Sequence, residues 1–171
     1  MKLWRLTTNL LLAIVLFLMP LSVLTTNPLT AQAASSSSVT KSILNEAAGE
    51  DFSGKNLIRA EFSNTTFKNT NFTNADLRGA LFNGVFLDGA NLHGIDFSSG
   101  IAYVSKFKDV DLTDAILTDS NMLRSTFDNV NVTGADFTDA LLSTQDLKKL
   151  CANASGTNSK TGVDTRDSLG C

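Results

Sequence analysis

The sequence predicts an all-β solenoid, and three observations carry that prediction. The first is an apolar residue at every fifth position: Phe52, Leu57, Phe62, Phe67, Phe72, Leu77, Phe82, Leu87, Leu92, Phe97, Ala102, Phe107, Leu112, Leu117, Met122, Phe127, Val132, Phe137 and Leu142. The series runs through 19 positions without a slip, and only Ala102 lacks a large side chain. The second is a small or β-branched residue two positions before most of these centres, as at Ala60, Thr65, Ala75, Ala80, Ala90, Ala115, Ser125 and Ala135. The third is Gly, Asn or Asp two positions after the centre, as at Gly54, Asn64, Asn74, Gly84, Gly94, Asp109, Asp119 and Gly134. Self-similarity at a fixed period is the signature of a repeat architecture.

A five-residue period rules out the two ordinary elements. An α-helix turns roughly 100° per residue, so centres five apart drift around it and leave no apolar stripe. A flat strand alternates faces, so the same centres would point in and out by turns. A chain that bends once per repeat buries them all. Each repeat is then one side of a coil, with the centre and the small residue inward. Large and small inward positions alternate, which lets stacked coils interdigitate. Gly, Asn and Asp tolerate the tight, left-handed backbone that the bends need. No Pro interrupts the repeats, so no backbone donor is lost from a coil-to-coil ladder. Asp or Asn often stands just before the centre: Asp51, Asn56, Asn71, Asp76, Asn91, Asp96, Asp111, Asn121, Asn131 and Asp136. Such side chains bond nearby backbone N–H groups, which suffices to explain them.

The units Ala75-Asp76-Leu77-Arg78-Gly79, Ala90-Asn91-Leu92-His93-Gly94 and Ala135-Asp136-Phe137-Thr138-Asp139 resemble the A(D/N)LXX unit of pentapeptide-repeat proteins. The resemblance implies a right-handed quadrilateral β-helix with four repeats per coil. Periodicity alone does not choose four sides over three. One internal sign favours four: Leu81, Ile101 and Leu141 break the polar rule before the centre and stand at multiples of 20. Phe86 and Ile116 break the same rule on other sides. On four sides, the 19 repeats make nearly five coils.

Residues 1–33 read as a signal peptide. Lys2 and Arg5 precede an unbroken apolar run from Leu10 to Met19, and Ala31-Gln32-Ala33 is a small-x-small cleavage site. The apolar stretch is shorter than the roughly 20 residues that span a bilayer. Cleavage would leave one domain with no stable membrane insertion. Residues 34–49 are a linker and N-terminal cap: Ser35-Ser36-Ser37-Ser38 is flexible, and Thr40 to Ala48 suits a short helix with Thr40 as N-cap. Residues 50–144 are the repeat. Residues 145–171 are a C-terminal cap and tail. Ser143-Thr144-Gln145-Asp146 resembles a capping box, and Leu147 to Ala152 suits a short helix over the last coil.

Cys151 and Cys171 are the only cysteines. An even count in an exported chain favours a disulfide, either a structural tether or a regulatory thiol pair. The tail from Leu150-Cys151-Ala152-Asn153 to Asp164-Thr165-Arg166-Asp167-Ser168-Leu169-Gly170-Cys171 resembles the C-terminal segment of pentapeptide-repeat proteins of the thylakoid lumen in cyanobacteria and plastids. That resemblance implies the thylakoid lumen rather than the periplasm. The expected fold is therefore the pentapeptide-repeat β-helix with short α-helical caps and a disulfide-closed tail.

No catalytic group, cofactor site or metal site is expected. His93 is the only histidine and faces outward, with no nucleophile tied to it by a motif. The glycines follow the repeat period and read as turns, not as a phosphate loop. No His/Cys pair has metal-ligand spacing. Asp76, Asp96 and Asp136 should stack on one face, and Asp109, Asp114 and Asp119 should mark successive corners. Residues 50–142 hold 13 acidic and 7 basic residues, a net −6, and lysines interrupt them. That is weak for a DNA surrogate, so no nucleic-acid partner is expected and DNA mimicry is a remote alternative. Leu81, Ile101, Tyr103, Leu123 and Leu141 should share one side as an apolar patch, which Phe86 could extend. Exposed apolar clusters usually mark a contact. The expectation is a non-enzymatic, monomeric scaffold or interaction module with an unidentified protein partner. A lumenal protein switched by its disulfide is the alternative. The patch could instead lie beneath the tail or the N-terminal segment. Ala102 could leave a cavity or let Tyr103 readjust.

Overall fold

The computed structural model describes residues 47–171. The signal peptide, the linker and most of the helix expected over Thr40–Ala48 lie outside the described residues. Within them the chain winds through four parallel ladders, each joining residues 20 apart. The first runs Asp51, Asn71, Asn91, Asp111, Asn131, and the second Asn56, Asp76, Asp96, Ile116, Asp136. The third runs Glu61, Leu81, Ile101, Asn121, Leu141, and the fourth Thr66, Phe86, Lys106, Thr126. Five-residue repeats that pair at 20 make a coil with four walls, numbered here in that order. The bond pattern is regular. A centre donates forward, as from Phe52 N–H to the Asn71 carbonyl at 2.7 Å, and the residue before a centre donates back, as from Asp76 to Lys55 at 2.9 Å.

Six repeats form three-residue strands: β1 (Glu61–Ser63), β2 (Leu81–Asn83), β3 (Phe86–Asp88), β4 (Ile101–Tyr103), β5 (Lys106–Lys108) and β6 (Thr126–Asp128). None begins with Asp or Asn. At all ten repeats where Asp or Asn precedes the centre, its side-chain oxygen accepts the N–H two residues on, as Asp96 does from Ser98 at 3.0 Å. That local bond folds the chain away from extended geometry. Tight corners also close backbone to backbone, as from Ala75 N–H to the Phe72 carbonyl at 2.8 Å.

The corners after β2 and β4 stay open, and inward serines take over. Val85 N–H donates to Ser105 Oγ at 3.1 Å, and Ser105 N–H donates to Ser125 Oγ at 3.0 Å. Both serines are buried. A buried N–H needs such a partner.

The centres from Leu57 to Phe137 are buried, while the terminal Phe52 and Leu142 are partly so. Phe107 and Phe127 stack with centroids 4.8 Å apart, the spacing of a β-ladder. Beside Ala102 it is a phenylalanine and not Tyr103 that fills space. Phe97 leans into the neighbouring gap, with its Cε1 only 2.5 Å from where a Cβ on Gly100 would stand. Its ring also meets Phe82, the residue paired with Ala102, at 5.2 Å. Tyr103 stays on the outside.

Helix α1 (Thr144–Asn153) follows the last coil. Its N-cap Ser143 accepts from Asp146 N–H at 3.1 Å, and the Asp146 carboxylate takes the serine hydroxyl proton bond. A second helix, α2 (Thr165–Leu169), has no counterpart in the sequence reading. Five residues carry too little periodicity to reveal it.

Candidate functional site

The sequence-derived patch divides by exposure. Ile101, Tyr103, Leu123 and Leu141 are exposed, and Leu81 is half-buried beside its ladder partner Ile101. All five stand on the third wall. Among the described residues, six of the seven exposed large apolar side chains lie on this wall, on its corner with the fourth wall, or just past that corner: Phe86, Ile101, Tyr103, Val104, Leu123 and Leu141. Ile58, on the second wall, is the exception.

Two basic side chains lie on aromatic rings of this surface. The Arg124 guanidinium sits 5.3 Å from the Tyr103 ring centroid and donates to the Tyr103 hydroxyl at 2.7 Å. Lys106 Nζ sits 5.5 Å from the Phe86 ring centroid. Val104 is the apex between the two pairs. It holds φ at 53°, a conformation that Asn, Asp or Gly fills at most other corners. For a β-branched residue this is a genuine outlier. The sequence reading missed Val104, although its breach of the corner rule was visible.

The C-terminal tail does not cover this wall, contrary to one of the expectations. It runs along the corner between the first and second walls. Asn158 Nδ2 donates to the carbonyls of Asp114, Ala115 and Gly134, the last at 2.8 Å. Ser159 N–H donates to Asp114 Oδ1 at 3.1 Å, and Lys160 Nζ donates to the Gly94 carbonyl at 2.7 Å. Gly134 N–H donates to the Ser155 carbonyl, and Phe137 N–H to Ser168 Oγ. Cys151 and Cys171 are bonded, with Cα atoms 5.6 Å apart. Arg166 Nη1 adds a bond to the Cys151 carbonyl at 3.0 Å.

Several of the acidic residues have local partners. Arg78 bonds Asp76 at 2.6 Å, and its side chain reaches within 3.9 Å of Asp96. The hydrogen-bonded Arg78 guanidinium holds the Asp76 carboxyl below its ordinary value of 3.8. Asp136 is buried and accepts from the Thr138 backbone and hydroxyl. Asp109, Asp114 and Asp119 stand at corners with φ of 54°, 56° and 56°. Asp109 accepts from Asn129 Nδ2, and Asp114 serves the tail. His93 is half-buried, and its N–H donates to Asn91 Oδ1. Among the described residues no His, Cys, Asp and Glu cluster in a way that could hold a metal ion.

A four-walled solenoid wound from five-residue units is the architecture of a repeat protein. Pentapeptide-repeat models match residues 49–84, 60–98 and 105–143, together covering more than half of the sequence. The chain belongs to the pentapeptide-repeat family. A solved pentapeptide repeat protein from the thylakoid lumen of Arabidopsis thaliana is 38% identical, with a TM-score of 0.72 over 74% of this chain and 88% of that one. The thylakoid lumenal protein TL20.3 (chloroplastic) of Arabidopsis thaliana is 55% identical over 40 residues. That match spans 23% of this chain and 14% of TL20.3. Both relatives are of the thylakoid-lumen type that the tail resembles.

Proposed function

We propose that the protein is a non-enzymatic interaction module of the thylakoid lumen that holds a protein partner on its third wall. The observation that carries this reading is the concentration of exposed apolar side chains on that wall and its edge, while the tail packs elsewhere. The lumenal relatives support the address. The test is affinity capture from the native compartment with three baits. Wild type and Ile58→Asp should retain the same partner, and Ile101→Asp should lose it. Equal capture by all three baits would sink the proposal. Fractionation of the processed protein tests the address, and recovery outside the lumen would refute it.

A disulfide-switched module is the weaker reading. The tail's bonds to Gly94, Asp114, Ala115 and Gly134 involve neither sulfur, so reduction alone should leave it anchored.

A further inference from the structure

We propose that the corner between the third and fourth walls docks on an anionic lipid surface. This goes beyond the protein contact proposed above. Three observations on that corner point the same way.

The first is composition. The three outward columns that meet there hold Phe86, Tyr103, Val104 and Leu123 together with Lys106 and Arg124, and no carboxylate. The whole sequence carries a formal charge of −3, so a purely cationic strip is a local reversal of sign. Such a strip attracts an anionic partner. The second is arrangement. The basic side chains lie along the aromatic rings while the apolar apex points outward. Aromatic rings settle at the headgroup level of a bilayer, and long basic side chains keep their charge in the headgroups while their stems lie on apolar surface. The third is strain. Val104 is 48% exposed at φ 53°. The fold would be better served by Asn or Gly there, and inference runs from such an outlier to a function.

Shape selects lipid over protein. The apolar residues lie on two walls meeting at a convex edge. A rigid partner would need a matching cleft, whereas a headgroup layer deforms around the edge. The contact is peripheral and requires no spanning segment. Leu81, Ile101 and Leu141, in the column farther from the corner, remain available for the protein contact.

The test uses the processed chain, residues 34–171, which lacks Trp4 and so leaves Tyr103 as the reporting fluorophore. The probes are vesicles of equimolar phosphatidylcholine and phosphatidylglycerol with brominated acyl chains, and vesicles of brominated phosphatidylcholine alone. Tyr103 emission should be quenched by the anionic vesicles, far less by the neutral ones, and recover at high salt. Lys106→Gln and Arg124→Gln should each lower the partition constant roughly fivefold. Val104→Asn should lower it several-fold while raising the melting temperature. Because that variant gains stability, misfolding cannot account for its loss of binding. Unquenched Tyr103 on vesicle-bound chains would overturn the proposal. So would a partition constant unmoved by Lys106→Gln and Val104→Asn. If those two variants lose protein capture instead, the corner belongs to a protein. If vesicle docking fails while Ile101→Asp still loses its partner, only the lipid reading falls.

Discussion

Ser105 shows how one hydroxyl decides the geometry of a corner. Where the chain stays extended through β2, the N–H of Val85 loses the backbone acceptor that tight corners supply, and Ser105 Oγ replaces it at 3.1 Å. Ser105→Ala should therefore cost about 1–3 kcal/mol, the penalty of a buried donor left without a partner. Thermal melting of this variant against the exposed Ser159→Ala checks the figure, and equal melting would refute it. Asp76 gives a second residue-scale prediction. Its folded carboxyl titrates below the ordinary 3.8, chiefly because Arg78 bonds the charged form. The stabilisation is thus fully present above about pH 4 and disappears as pH falls through the lower folded value. Asp76→Asn should be less stable than wild type at neutral pH, by no more than about 1 kcal/mol for so exposed a pair. Denaturant melts at pH 7 and pH 2 should show that gap closing in acid.

At the scale of the element, Asp or Asn before the centre is enough to bend a repeat, although the repeats of Thr66 and Ile116 bend without one. Every Asp or Asn there makes a tight turn, and all six strands start with something else. This was legible in the sequence because the bond spans only two residues. The packing around Ala102 was not, because it depends on where a ring from another wall leans. Gly100 and Ala102 together leave space, and Phe97 takes the part beside Gly100. Gly100→Ala should then destabilise by about 1–3 kcal/mol through overpacking. Adding Phe97→Leu should recover part of that loss. A double-mutant cycle by denaturant unfolding measures the coupling, and additive losses would show that the two sites do not touch.

For the whole molecule, the tail fastens the last coils to an earlier one. The disulfide closes a separation of 20 residues, and its removal should cost about 2–4 kcal/mol. Cys151→Ser with Cys171→Ser should melt lower, yet hydrogen exchange should still find the Gly134 amide protected by Ser155. Loss of that protection would revive the switch. The sequence by itself determined the buried column and the bends, because each rests on a short-range pattern repeated without interruption, whereas the count of four walls came from the family resemblance and is settled by ladders that pair residues 20 apart. It also identified the third wall as apolar, since residues 20 apart must share a face. Only the tertiary structure decided which corner the tail covers. Asn158 reaches Ala115 across 43 residues and Lys160 reaches Gly94 across 66. Those contacts join segments with no common period, so nothing local encodes them, and the route they fix for the tail is what leaves the third wall clear of it.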